Sequence, residues 1–174
     1  MCPLISCSQT IPPMPFVFDF VPAAGFAGLM ATAAFEDFRR LVIPNAIIAG
    51  LCVLWPLHLA AGPGFTVIGS LGAVGCAVAV FLAGALLYSR GLIGGGDVKL
   101  LAAATLWAGP GSTPALLIVT AVLGGLLTLV LLFCATLRSG FNWATAAAVR
   151  SLPVPYGAAI AAAATIVTLT PNLT

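Results

Sequence analysis

Charge is what this sequence has least of. Only 6% of its 174 residues are Asp, Glu, Lys or Arg, where an ordinary soluble domain carries about 25%. None occurs from Leu41 to Ser89, from Leu100 to Leu137 or from Ser151 to Thr174. Each of these runs is longer than the ~20 apolar residues that cross the hydrocarbon of a bilayer. With 61% of the chain apolar and a mean hydropathy of +1.20, a water-soluble domain of this length is excluded. The net charge of +2 is too small to attract nucleic acid, so no nucleic-acid partner is expected. Histidine is nearly absent too. His58 is the single one, in an apolar stretch away from any charged residue, which disfavours Ser-His or Cys-His nucleophilic chemistry and a His/Cys metal centre. Cys2, Cys7, Cys52, Cys76 and Cys134 are scattered without a C-x-x-C pair. Three of them fall in apolar stretches, where free cysteine behaves as a small hydrophobe, so neither a disulfide framework nor a metal site is expected. A basic leader with a cleavage site is also missing, and the first apolar run is therefore read as retained.

What is present is a series of apolar stretches separated by turns. Residues 1–15, with Pro3, Pro12, Pro13 and Pro15, predict an irregular N-terminal tail. Residues 16–170 predict a single domain. The stretches run from Phe16 to Phe35, Ile43 to Ala61, Phe65 to Tyr88, about Gly95 to Ala108, Pro114 to Leu137 and Pro153 to Leu169. Gly62-Pro63-Gly64 and Gly109-Pro110-Gly111 separate them as turns. The expected fold is all-α, a polytopic bundle of six transmembrane helices. Arg39, Arg40, Arg90, Lys99, Arg138 and Arg150 all fall in alternate connections. The positive-inside rule puts those connections in the cytoplasm and both termini outside.

Against this apolar background Gly94-Gly95-Gly96-Asp97-Val98-Lys99 stands out. A charged group at the mouth of a membrane helix is costly and is by default a functional hypothesis, and three glycines before it permit close backbone approach. Asp37, in Glu36-Asp37-Phe38-Arg39-Arg40, reaches the same expected membrane face. Two carboxylates that meet there suit general acid–base hydrolysis, because like charges disfavour joint ionisation and leave one of them protonated. Glu36 competes as the second carboxylate but lies about 100° round the helix. Asp19 reads as an interfacial charge at the outer face.

These residues resemble a family. Gly94-Gly95-Gly96-Asp97 is similar to the G-x-G-D signature of membrane aspartyl peptidases, and Val98-Lys99-Leu100 to its continuation in the prepilin peptidases. Asp37-Phe38-Arg39 followed by Ile43-Pro44-Asn45 resembles that family's other motif. Val154-Pro155-Tyr156-Gly157-Ala158 resembles the segment that opens its last helix. The likeness is to the small prepilin peptidases of tight-adherence (Flp-type) pilus systems. Larger members carry an N-terminal cysteine-rich region associated with methyl transfer. Its absence here makes peptidase activity without methyl transfer the expectation.

The resemblance implies an aspartic-type endopeptidase of the bacterial inner membrane, with Asp37 and Asp97 catalytic at the cytoplasmic face and no cofactor. Gly94, Gly95, Gly96, Lys99, Arg39, Pro44 and Asn45 would bind substrate or shape the site. The implied partners are prepilin or pseudopilin precursors, membrane lipid and other pilus-assembly proteins. Two other classes stay open on the residues: a small transporter or channel with an aspartate proton or cation relay, and a non-catalytic assembly subunit. Plain structural readings also stand beside the sharp ones. Asp97 could cap its helix, Asp37 could pair with Arg40, and Arg39 and Lys99 could serve as membrane anchors.

Overall fold

The computed structural model describes residues 16–61, 66–139 and 154–170, and every regular element among them is an α-helix. The expected tail at 1–15, the turn at 62–64, the connection at 140–150 and the Cys2 and Cys7 positions lie outside these residues, as does the side chain of Asp19. Helix α1 runs Phe16–Arg40, α2 Asn45–Ala61, α3 Val67–Ser89, α4 Gly95–Ser139, and α5 Tyr156–Leu169.

Local sequence explains the boundaries. α1 ends where Leu41 adopts φ 53 and its N–H donates to the Asp37 carbonyl at 2.9 Å. A left-handed residue just past a helix end is the usual stop, though glycine normally occupies it. Pro44 lies immediately before α2 rather than within its first turn, and its carbonyl accepts from Ile47 N at 3.1 Å. Thr66 caps α3, its hydroxyl oxygen accepting from Gly69 N at 3.2 Å.

The turn expected at 109–113 is shorter than the sequence suggests. Gly109 alone leaves helical geometry, at φ 72 and ψ 175, and Pro110 resumes the helix because proline suits a first turn. This single residue reverses the chain. Asp97 and Thr128, 31 positions apart (128 − 97), line one cavity. A straight helix would hold them about 46 Å apart. Residues 95–108 and 110–139 therefore run back against each other.

The buried centre gathers Phe26, Met30 and Ala33 of α1, Leu51 of α2, Leu100, Ala104, Trp107 and Leu116 of α4, and Ala163 and Ala164 of α5. Alanine at several of these positions lets backbones approach closely, as in membrane helix packing. Trp107 packs against Phe26 with tilted rings, centroids 4.7 Å apart, and its indole N–H donates to the Leu51 carbonyl at 3.0 Å. Trp107→Phe removes that donor while keeping an aromatic ring. A loss of about 0.5–1.5 kcal/mol is expected from the hydrogen bond, read as a lower midpoint of thermal unfolding in detergent.

Outward, α3 exposes Val67, Ile68, Leu71, Val78, Phe81 and Leu82, and α4 exposes Ile118, Val122, Leu126, Leu129 and Phe133. Among the described residues, two helices are long and apolar enough to cross a membrane, α3 and α4 over Gly95–Leu137. α2 and α5 contain shorter apolar helices.

Candidate active site

One end of the bundle holds an open cavity of about 730 Å³. α1 brings Asp37 to it from the last turn of the helix. Leu41, Val42 and Ile43 form a wall as the chain crosses to α2, which adds Asn45. The connection after α3 brings Gly91 to Gly94, and α4 opens with Gly95, Gly96, Asp97 and Lys99. Thr128 comes from the returning half of α4, and Val154 and Tyr156 from the entrance to α5. Five stretches of sequence thus meet around two carboxylates.

Asp37 is 4% exposed. Its carboxylate Oδ2 accepts from the backbone N–H of Ala158 at 3.2 Å, in the first turn of α5. A helix N-terminus carries unpaired N–H groups and a partial positive charge, both of which favour an anion there. Burial pushes the Asp37 carboxyl above the usual carboxylate range, and the N–H groups of Ala158 and Gly157 pull it part of the way back. Glycine at 157 is what lets the Asp37 carboxyl come this close to the backbone. A Cβ there would lie 2.8 Å from Ile43 Cδ1 and 2.9 Å from both Asp37 Cγ and Oδ2.

Asp97 is half-buried in the first turn of α4. The glycines before it have distinct surroundings. A Cβ on Gly94 would sit 2.8 Å from Asp97 Oδ2, one on Gly95 would meet Tyr88 Cε2 at 3.2 Å, and one on Gly96 would meet Ile43 Cβ at 3.4 Å. The triplet is therefore close approach on three sides rather than slack connector. Burial acts on both carboxyls, and the two charges oppose each other. Two carboxyls that line one cavity disfavour joint ionisation.

Lys99 Nζ donates to Asn45 Oδ1 at 3.1 Å, tying α4 to α2 at the cavity edge. Tyr156 and Thr128 hydroxyls lie 3.3 Å apart on the opposite wall. The structure thus brings together Asp37, Asp97, Gly94, Gly95, Gly96, Lys99 and Asn45. It does not bring Arg39 or Pro44 to the cavity lining. Arg39 stacks over the Phe35 ring at 5.2 Å, and Pro44 serves the start of α2. Glu36 pairs with Arg40 at 3.4 Å, which takes both away from Asp37.

Sequence reasoning missed Thr128, the Leu41–Ile43 wall and the backbone of Gly157 and Ala158. For the last of these a signal existed. A glycine in the first turn of a helix, directly after Pro155-Tyr156, marks a point where another group comes close to the backbone.

A cavity that sets two mutually repelling carboxyls beside water-reachable space can carry out acid–base hydrolysis without a covalent intermediate. Comparison with curated proteins and with solved structures gives no match. The type IV leader peptidase family does match, over residues 24–129. That span includes Asp37, the Gly94–Asp97 stretch and Thr128, and covers more than half of the chain. Both the geometry and the match point to proteolysis, and the chain belongs to the type IV leader peptidase family.

Proposed function

We propose that this protein is an aspartic-type endopeptidase that removes the short leader of prepilin-like precursors at the cytoplasmic face of the bacterial inner membrane. The observation that carries the reading is the convergence of Asp37 and Asp97 on one cavity from helices 60 positions apart (97 − 37). A relay for protons or cations needs carboxylates spaced through the membrane depth, and these two share one end of the bundle.

The chemistry follows from one carboxylate and one carboxylic acid. The ionised member takes a proton from a water molecule, whose oxygen bonds to the scissile carbonyl carbon. The protonated member gives its proton to the carbonyl oxygen. When the tetrahedral intermediate collapses, the C–N bond breaks, the leaving amine takes the proton that the first carboxylate holds, and one hydroxyl of the intermediate returns its proton to the second carboxylate as the new carboxyl group forms. Lys99, Asn45, Thr128 and Tyr156 line the remaining space and position the extended peptide.

The membrane setting rests on the same features. α1, α2, α3, the two halves of α4 and α5 supply six apolar segments. In the sequence all six Lys and Arg residues lie at or beside the segment ends that a six-span arrangement puts on one side, which orients the cavity toward the cytoplasm. Residues 95–108, at ~1.5 Å rise, cover only about 21 Å of a hydrocarbon layer of about 30 Å. The short segment recesses Asp97 within a locally thinned region. A substrate with a cytoplasmic leader and a membrane helix places its junction at that depth.

Co-expression with a Flp-type prepilin tests the reading. Wild type converts the precursor to a shorter form whose N-terminus, by sequencing, begins after the leader. A precursor left intact by protein that has accumulated in the membrane overturns it.

A further inference from the structure

The two carboxyls are chemically alike, yet their surroundings differ. Asp37 receives the Ala158 N–H at 3.2 Å, with the Gly157 backbone packed so closely that no side chain fits between. An N–H group can only donate, and a bond to a charged carboxylate is about twice as strong as one to a neutral acceptor. The N-terminal end of α5 adds its partial positive charge at the same point. Asp97 also lies in a first helical turn, but among the described residues no backbone N–H hydrogen-bonds its carboxyl.

Among the described residues, the other charged groups are held elsewhere. On α4, Lys99 is engaged by Asn45 of α2. On α1, Glu36 and Arg40 pair with each other and Arg39 lies over Phe35. The last helix offers Asp37 only Tyr156 and the two amides. Among the described residues, Asp97 is the ionisable group that opposes it.

We propose that the N-terminus of α5 divides the labour within the pair: the Ala158 amide holds Asp37 as the carboxylate that activates water, and the proton resides on Asp97, which polarises the scissile carbonyl. Gly157 and Ala158 are then positioning residues acting through their backbone. The inference rests on the peptidase reading and assigns the two roles within it.

The test removes the Ala158 N–H, and with it a longer bond of 3.3 Å to the Pro155 carbonyl. Nonsense suppression with lactic acid at position 158 replaces the amide by an ester and keeps the methyl side chain. The full chain, reconstituted in liposomes, is assayed across pH with a synthetic prepilin, and kcat and KM are measured separately. If Asp37 is the ionised member, its loss of a donor raises the acid limb of the kcat profile by about one pH unit, a tenfold change in that equilibrium. The alkaline limb and KM stay in place. If Asp97 is the ionised member, the alkaline limb moves instead, and the proposal is overturned. A profile that drops without shifting overturns it as well, because the amide then serves structure only.

Gly157→Ala, which pushes the carboxyl off the amide, provides a second variant and is expected to shift the same limb. Failure of the underlying reading looks different. In that case Asp37→Asn and Asp97→Asn both still cleave.

Discussion

Asp37→Asn and Asp97→Asn are each expected to lower leader removal by about 10³-fold or more while leaving the protein in the membrane at wild-type abundance. Acid–base catalysis by a positioned group contributes about 10²–10⁴-fold, and in a shared pair either loss disables both roles. The amide is nearly isosteric with the carboxyl, so packing changes little. Asn at 37 still offers an oxygen to the Ala158 N–H, and Asn at 97 still fits against the Gly94 backbone, where the space for Oδ2 is tight. What is lost is the capacity to take up and release a proton. Loss of a buried, like-charged neighbour also removes a repulsion, so neither variant is expected to unfold more readily. Immunoblots of isolated membranes set against rates on synthetic prepilin separate the chemical effect from a loss of protein. Equal loss of protein and of rate would point to a structural role for the aspartate.

Gly157→Ala carries the second-largest expected effect, a loss of at least tenfold in kcat. The added methyl would lie 2.9 Å from Asp37 Cγ and 2.8 Å from Ile43 Cδ1. Real Cβ atoms do not come that close, so either Asp37 turns away or α5 retreats. Both outcomes break the 3.2 Å bond from Ala158. Gly28→Ala is the matched control. It lies in α1, where an added Cβ meets nothing within 4 Å, and alanine favours a helix by up to about 1 kcal/mol. That variant is expected to cleave at the wild-type rate. Thermal unfolding of both in detergent distinguishes a local rearrangement of the carboxyl from a general loosening of the bundle.

The all-helical architecture could be read because charge is so sparse. Every Asp, Glu, Lys or Arg marks an end or a connection, and the stretches between have one physical use. Asp37 and Asp97 were legible for the same reason, as two acidic groups in chemically hostile surroundings. The reversal at Gly109 was partly legible. Gly109-Pro110-Gly111 announces a break, but only the backbone angles show that one residue makes it and that Pro110 already belongs to the returning helix. Arg39 illustrates the opposite limit. It sits two positions from Asp37 in a motif, and helical geometry carries it to Phe35 instead of the cavity. Thr128 gave no signal at all. Its place on the cavity wall depends on where residues 110–139 settle against α5, a long-range packing outcome that no local pattern encodes. The backbone donor at Ala158 carries no side-chain signal of its own, and only the glycine before it, in the first turn of α5, hints at the close approach.

Asp37 and Asp97 are expected to work as one unit, and a double-mutant cycle tests this directly. Leader removal is measured for wild type, Asp37→Asn, Asp97→Asn and the double variant, each reconstituted at equal amount in liposomes. Residues that act as a unit are strongly non-additive, so the double variant should be no slower than the worse of the two single ones. Losses that multiply would mean two independent contributions, and residual cleavage near the wild-type rate in both single variants would mean that the catalytic groups lie elsewhere.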